Sequence, residues 1–113
     1  MKEIESEPEL SVVIPAYNEA TRIEPTLERI RTWLAANEPS AEVIVVDDGS
    51  RDATTAVVER EVPRYMDSGI ALKLLGDGRN HGKGAAVRTG MLAAGGRIAL
   101  FTDADLSAPI EEA

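Results

Sequence analysis

The sequence predicts an α/β domain with three layers, a parallel sheet between helices, and three observations carry that expectation. Short apolar runs alternate with longer amphipathic segments in the order strand, helix, strand, helix, strand, helix, strand. The run Val43-Ile44-Val45-Val46 is continuous and β-branched, which suits a strand covered on both faces. Polar and acidic residues gather directly after the strand candidates, at the edge where open parallel sheets bind their ligands.

Each element has a local reason. Leu10 to Pro15 is the first strand candidate. Asn18 to Ala36 reads as a helix, because Ile23, Leu27, Ile30 and Leu34 fall on one face, with Pro25 early enough to cost little. Glu42 to Asp47 is the second strand, and Asp48-Gly49-Ser50 a turn. Ser50 or Asp52 is placed to cap a second helix, which Pro63 should end near Val62. Ile70 to Leu75 is a third strand, Gly76 to Gly84 a glycine-rich loop, and Ala85 to Ala94 a helix closed by Gly95-Gly96. Arg97 to Thr102 is a fourth strand, followed at once by Asp103-Ala104-Asp105.

Composition narrows the function. The 113 residues amount to one ordinary domain at most. Twelve basic against 20 acidic residues give a net charge of −8, which argues against a nucleic-acid partner, since neutralising phosphates needs clustered Lys and Arg. The absence of Cys removes disulfides, thiolate metal sites and a cysteine nucleophile, and a single His removes a multi-His cage. The acidic N-terminus lacks the apolar segment of a signal peptide, and no apolar run approaches the roughly 20 residues of a membrane span.

Two acidic pairs stand at strand ends. Asp103 and Asp105 repel each other unless a cation lies between them, and Mg²⁺ or Mn²⁺ suits such carboxylates together with substrate phosphates. The plainer reading is one turn cap and one solvated Asp, but Asp47-Asp48 at the end of another strand weakens it. Asp48 could accept an N–H from a nucleobase, or simply serve the turn. Tyr17 could lie along a base or pack at the core edge, and Glu19 could meet a ribose or balance Arg22. The glycine-rich loop fails the P-loop pattern at Asp77 and Gly84 and fails G-x-G-x-x-G at His81 and Val87. It leaves Lys83 and Arg88 to meet a diphosphate or water.

Four segments in order then carry a resemblance. They are Ser11-Val12-Val13-Ile14-Pro15-Ala16-Tyr17-Asn18-Glu19, Val45-Val46-Asp47-Asp48-Gly49-Ser50-Arg51-Asp52, the run from Asn80 to Met91, and Phe101-Thr102-Asp103-Ala104-Asp105-Leu106-Ser107. Together they resemble family 2 glycosyltransferases of the GT-A fold, most of all dolichyl-phosphate glucosyltransferases, with polyprenyl-phosphate mannosyltransferases as near relatives. The resemblance implies a Rossmann-like GT-A sheet cut after its fourth strand, with residues 1–9 an acidic tail and 10–113 the nucleotide-sugar half of the domain. It implies inverting transfer of a hexose, glucose by preference, from a nucleotide diphosphate sugar to a polyprenyl or dolichyl phosphate.

By the same resemblance the nucleotide sugar would meet Pro15, Ala16, Tyr17, Glu19, Val46, Asp48, Lys83, Asp103 and Ala104, and Asp103 with Asp105 would hold Mg²⁺ or Mn²⁺. Mannosyl relatives often carry Gln where Ser107 stands. UDP-glucose is expected over GDP-mannose, and no catalytic base is assigned. A cytoplasmic chain is expected, its intact parent at the cytoplasmic membrane face, with self-association through an exposed sheet edge. The competing reading is a non-catalytic αβ fragment or interaction module that keeps the donor motifs. A pyrophosphorylase would want a basic glycine-rich loop where Pro15-Ala16-Tyr17-Asn18 stands, and a receiver domain an acidic pair after its first strand.

Overall fold

The structure, a computed structural model, describes residues 8–103. Seven elements follow in order: β1 (Leu10–Ala16), α1 (Ala20–Asn37), β2 (Glu42–Asp47), α2 (Thr54–Asp67), β3 (Ala71–Leu75), α3 (Lys83–Ala93) and β4 (Ile98–Phe101). The strands form one parallel sheet in the order β3-β2-β1-β4.

That order decides where the helices lie. The crossovers from β1 to β2 and from β2 to β3 step in one direction, so right-handed connections put α1 and α2 on the same face. The chain then returns past β2 and β1 to place β4, which sends α3 to the opposite face. Strand residues divide accordingly. Val12, Ile14, Val43 and Val45 pack with Ile23, Leu27, Ile30, Leu34, Val57, Val58 and Tyr65, whereas Val13, Ile44 and Val46 pack with Ala86. The β-branched run of β2 is buried on both faces, as its composition predicts.

α3 lies close to the sheet because Gly90 has no side chain. A Cβ there would stand 2.3 Å from Cγ1 of Val13 and 3.1 Å from Cγ2 of Val46. β4, at the sheet's edge among the described residues, leaves Ile98 and Phe101 exposed, and Leu92 of α3 is exposed as well.

Proline placement departs from expectation twice. α2 does not stop at Val62 but runs through the exposed Pro63 to Asp67. Only with that last turn formed can Tyr65 be fully buried and its hydroxyl donate to the Leu27 carbonyl at 2.6 Å. Pro25 lies in the second turn of α1, so its missing N–H does forgo one intrahelical bond. The complete burial of Ile23, Leu27, Ile30 and Leu34 on the opposite side of the helix offsets that loss. α3 begins at Lys83 rather than Ala85.

At the opposite end of the sheet from the acidic loops, a polar cluster replaces apolar packing. Glu42, 4 % exposed, accepts from the Ser11 hydroxyl (2.6 Å), the Gly95 N–H (2.7 Å) and the Lys73 ammonium (2.9 Å). Gly96 N–H donates in turn to Ser11 Oγ at 2.8 Å. The cluster fastens the turn between α3 and β4 to the starts of β1 and β2.

Burial alone would push the Glu42 carboxyl up, but the bonds from Ser11, Gly95 and Lys73 together hold it below the ordinary glutamate range. A depressed folded-state pKa stabilises the fold above the unfolded-state value of about 4.3 and loses that contribution as pH falls through the folded-state value. Unfolding followed in denaturant from pH 3 to 7 should therefore show a falling acid limb. Glu42→Gln should flatten that limb and cost about 1–3 kcal/mol at pH 7; an unchanged limb would remove Glu42 from the account.

Candidate active site

The sheet's switch point lies between β1 and β4, because the chain leaves β1 in one direction and reaches β4 from the other. Loops diverge there and leave a crevice beyond the strands' carboxyl ends. Val13 pairs with Phe101, and the Thr102 N–H continues the ladder to the Val13 carbonyl at 3.0 Å. Asp103 thereby joins Pro15, Ala16 and Tyr17 around one cavity.

The loop after β1 is held by the loop after β2. Asn18 adopts a left-handed backbone, φ 54°, a conformation that Asn tolerates better than most side chains. Its N–H donates to Ser50 Oγ (2.9 Å), and its own Oδ1 accepts the Arg51 N–H (2.8 Å). The N–H of Glu19 reaches Thr54 Oγ1 at 2.8 Å, and that of Ala20 reaches Asp52 Oδ2 at 3.2 Å. Asp52 also accepts the Thr54 N–H at 3.0 Å, so one carboxylate serves the first N–H groups of both α1 and α2. The Thr54 hydroxyl is the main cause of its depressed pKa. Ser50, a candidate cap for α2, serves the Asn18 loop instead.

Asp48 organises the third loop. Its carboxylate, almost fully buried, accepts the N–H of His81 at 2.7 Å and of Gly82 at 3.0 Å, and its carbonyl accepts Asn80 Nδ2 at 3.1 Å. Glycine makes this approach possible. A Cβ on Gly49 would lie 2.6 Å from the backbone of Arg79 and Asn80, and one on Gly76 2.5 Å from the Asp47 carbonyl oxygen. The helix that follows therefore starts at a fixed point, with Lys83 at its head.

The resulting cavity, about 250 Å³, is lined by Pro15, Ala16, Tyr17, Glu19, Asp48, Lys83 and Asp103. Seven of the ten residues predicted for the site thus converge. Tyr17 is 43 % exposed. Glu19 takes the partner that its plainer reading gave it, Arg22 at 2.7 Å, while lining the cavity. Lys83 reaches across to Asp103, Nζ to Oδ1, at 2.5 Å. Val46 stands apart. It faces α3 and lines a second cavity of about 360 Å³ with Asp47, Asp77, Arg79 and His81, and Asp48 lines both cavities. Ala104 and Asp105, and Ser107 with them, lie outside the described residues.

A divalent cation fits what is described. The Asp103 carboxylate already faces a cationic group across the cavity, the Lys83 ammonium. Among the described residues no three acidic or His side chains converge, and Asp103 is the carboxylate there that a metal would meet, together with oxygens of a bound ligand. That arrangement is common for Mg²⁺.

Residues 11–112 match Glycosyl transferase family 2. The chain belongs to that family. A dolichyl-phosphate beta-glucosyltransferase of Drosophila melanogaster is 45 % identical over 103 residues, which are 86 % of this chain and 31 % of that protein. A dodecaprenyl-phosphate galacturonate synthase of Rhizobium johnstonii is 38 % identical over 98 residues, 87 % of this chain and 28 % of that one. Among solved structures, a mannosyltransferase from Pyrobaculum calidifontis in complex with GDP-Man and Mn²⁺ superposes with a TM-score of 0.75 at 36 % identity, over 88 % of this chain and 28 % of the other. The family 2 chain thus spans less than a third of the length of these relatives. Its sheet and helices are those of the GT-A fold over the described residues, as the four motifs led us to expect.

Sequence reasoning missed the Asp48 clamp, the double duty of Asp52 and the left-handed Asn18. The Asn-Glu and Asp-Gly-Ser-Arg-Asp strings hold the needed side chains, but their partners lie 32 to 35 residues away. Replacing Asp48 by Ala should strand the His81 and Gly82 N–H groups. We expect about 1–3 kcal/mol lost in denaturant unfolding, with amide exchange at those two residues accelerated more than in the core of β2. Unchanged exchange there would mean that the clamp does not hold the loop.

Proposed function

We propose that this chain is the donor-binding part of a transferase that moves a hexose from a nucleotide diphosphate sugar to a polyprenyl phosphate, with inversion at the sugar carbon. The observation that carries the reading is the convergence of Tyr17, Asp48, Lys83 and Asp103 on one cavity at the switch point of a family 2 sheet. The names of the two polyprenyl-phosphate relatives support the acceptor class. Glucose is our choice of sugar, supported by the Drosophila relative's name, and UDP is our choice of its carrier.

Each residue has a task in this reading. Tyr17 offers an aromatic face to the base or ribose, and Asp48 keeps acceptor capacity toward a base N–H beyond its bonds to the loop. Pro15 and Ala16 would pack against the nucleoside, and Glu19 would meet ribose hydroxyls. Asp103 would hold Mg²⁺ or Mn²⁺, with Asp105 as its proposed companion, and the ion when bound would stabilise charge on the departing diphosphate. Lys83 adds a positive charge to the same cavity. The acceptor phosphate is anionic at neutral pH, so attack on the sugar carbon makes little demand on a general base.

Calorimetry with UDP and GDP, each with Mn²⁺ and with EDTA, tests the donor half. UDP should bind on the order of tenfold more tightly than GDP, and EDTA should weaken it comparably. Tighter binding of GDP would reassign the donor, and equal affinity in EDTA would remove the metal.

A polyprenyl phosphate presents its head group at a bilayer surface, and we propose that the intact protein works at the cytoplasmic face. No helix among the described residues is long and apolar enough to cross a membrane. With a net charge of −8, this chain should be repelled by anionic lipid and stay in the soluble fraction in vesicle flotation. Flotation with neutral vesicles would reveal an interfacial surface within these residues.

A further inference from the structure

The carboxylates lining the first cavity are neutralised in three different ways. Glu19 is paired with Arg22, three positions along the same chain, and Asp48 is bound by backbone N–H groups. Asp103 is met instead by a long side chain from another element, the Lys83 ammonium, 20 residues away and 2.5 Å distant. Both members of that pair remain open to solvent, 60 % for Lys83 and 41 % for Asp103. Exposed pairs of this kind are weak and exchange readily. The base of the lysine is nonetheless fixed, because Asp48 holds Gly82 at the start of α3. The helix start is held by Asp48, whereas the ammonium meets Asp103 at the solvent-exposed end of a long side chain.

We propose that Lys83 is an exchangeable internal counter-cation: it holds the Asp103 carboxylate before a metal binds, gives that position to a divalent cation, and turns to the diphosphate that arrives with it. The second half rests on the donor reading above; the first does not. The electrostatics favour the exchange. A doubly charged ion attracts the carboxylate more strongly than an ammonium does at similar distance. A released ammonium then stays within the same cavity, where a nucleoside diphosphate brings charge to be neutralised. Without the ammonium beside it, the Asp103 carboxylate would weigh more heavily against that diphosphate until metal had bound. Lys83 therefore opposes metal binding on its own and favours metal and nucleotide together.

This opposition of signs is the test. Mn²⁺ binding to the 113-residue chain, without nucleotide, is measured by calorimetry for the wild type, Lys83→Met and Lys83→Gln, with circular dichroism to verify folding. Removing the ammonium should tighten Mn²⁺ binding on the order of tenfold, and weaken UDP binding in saturating Mn²⁺ by a similar factor. With ¹⁵N-labelled lysine, Mg²⁺ alone should shift the Lys83 ammonium resonance, and Asp103→Asn should abolish that shift. If both variants bind Mn²⁺ no better than the wild type, the counter-cation role is overturned, even where UDP still binds. Weakening of both ligands would reduce Lys83 to an ordinary contact and overturn it too. If the variants gain Mn²⁺ affinity but no protein binds UDP, the donor reading falls and the cation exchange stands.

Discussion

The arrangement of the cavity depends on one set of hydrogen bonds, those from the His81 and Gly82 N–H groups to the Asp48 carboxylate. Asp48 follows β2 directly, and Gly82 directly precedes α3. The contact therefore couples the sheet to the helix on its far face, across a loop with no regular structure of its own. Remove the carboxylate and two amides at a helix start lose their partner; move it, and the head of α3 moves with Lys83. A carboxylate at the positive end of a helix is also favourable electrostatically. The same residue thus stabilises the fold and sets the position of a cationic side chain.

The two ends of the sheet are built differently. Beyond the carboxyl ends, loops cross-bond through Asn18, Ser50, Asp52 and Thr54, and their acidic groups surround a cavity open to ligand. At the amino ends, Glu42 is enclosed and saturated by Ser11, Lys73 and Gly95. A buried carboxylate with every neighbour committed to it resists exchange, whereas the exposed Asp103 can trade partners. Burial separates the enclosed acid from the one that lines the cavity, although both are acidic residues near strand ends.

The elements and the location of the site were legible in the sequence because they rest on local signals. Helical spacing from Ile23 to Leu34 and the β-branched run of β2 each need only a short window, and the strand-end rule then gathers Tyr17, Asp48 and Asp103. What escaped depends on register. Ser11, Glu42 and Lys73 meet only because β1, β2 and β3 align as they do, and no short window shows that alignment. Pro63 misled for the same reason. The breaker is local, but the gain that outweighs it, Tyr65 against Leu27, is made 38 residues away. Val46 was drawn into the site by its place in a motif, while strand alternation turns it to the α3 side.

The pairing of β4 with β1 also bears on the order in which the molecule assembles during synthesis. β1, β2 and β3 join neighbours in sequence, so three strands and two helices can associate while the ribosome is still making the rest. β4 joins β1 across a span from Leu10 to Ile98, and Asp103 follows it. One wall of the cavity is therefore the last to emerge. A nascent chain can collapse around most of its core, yet lacks that cavity until the late strand docks.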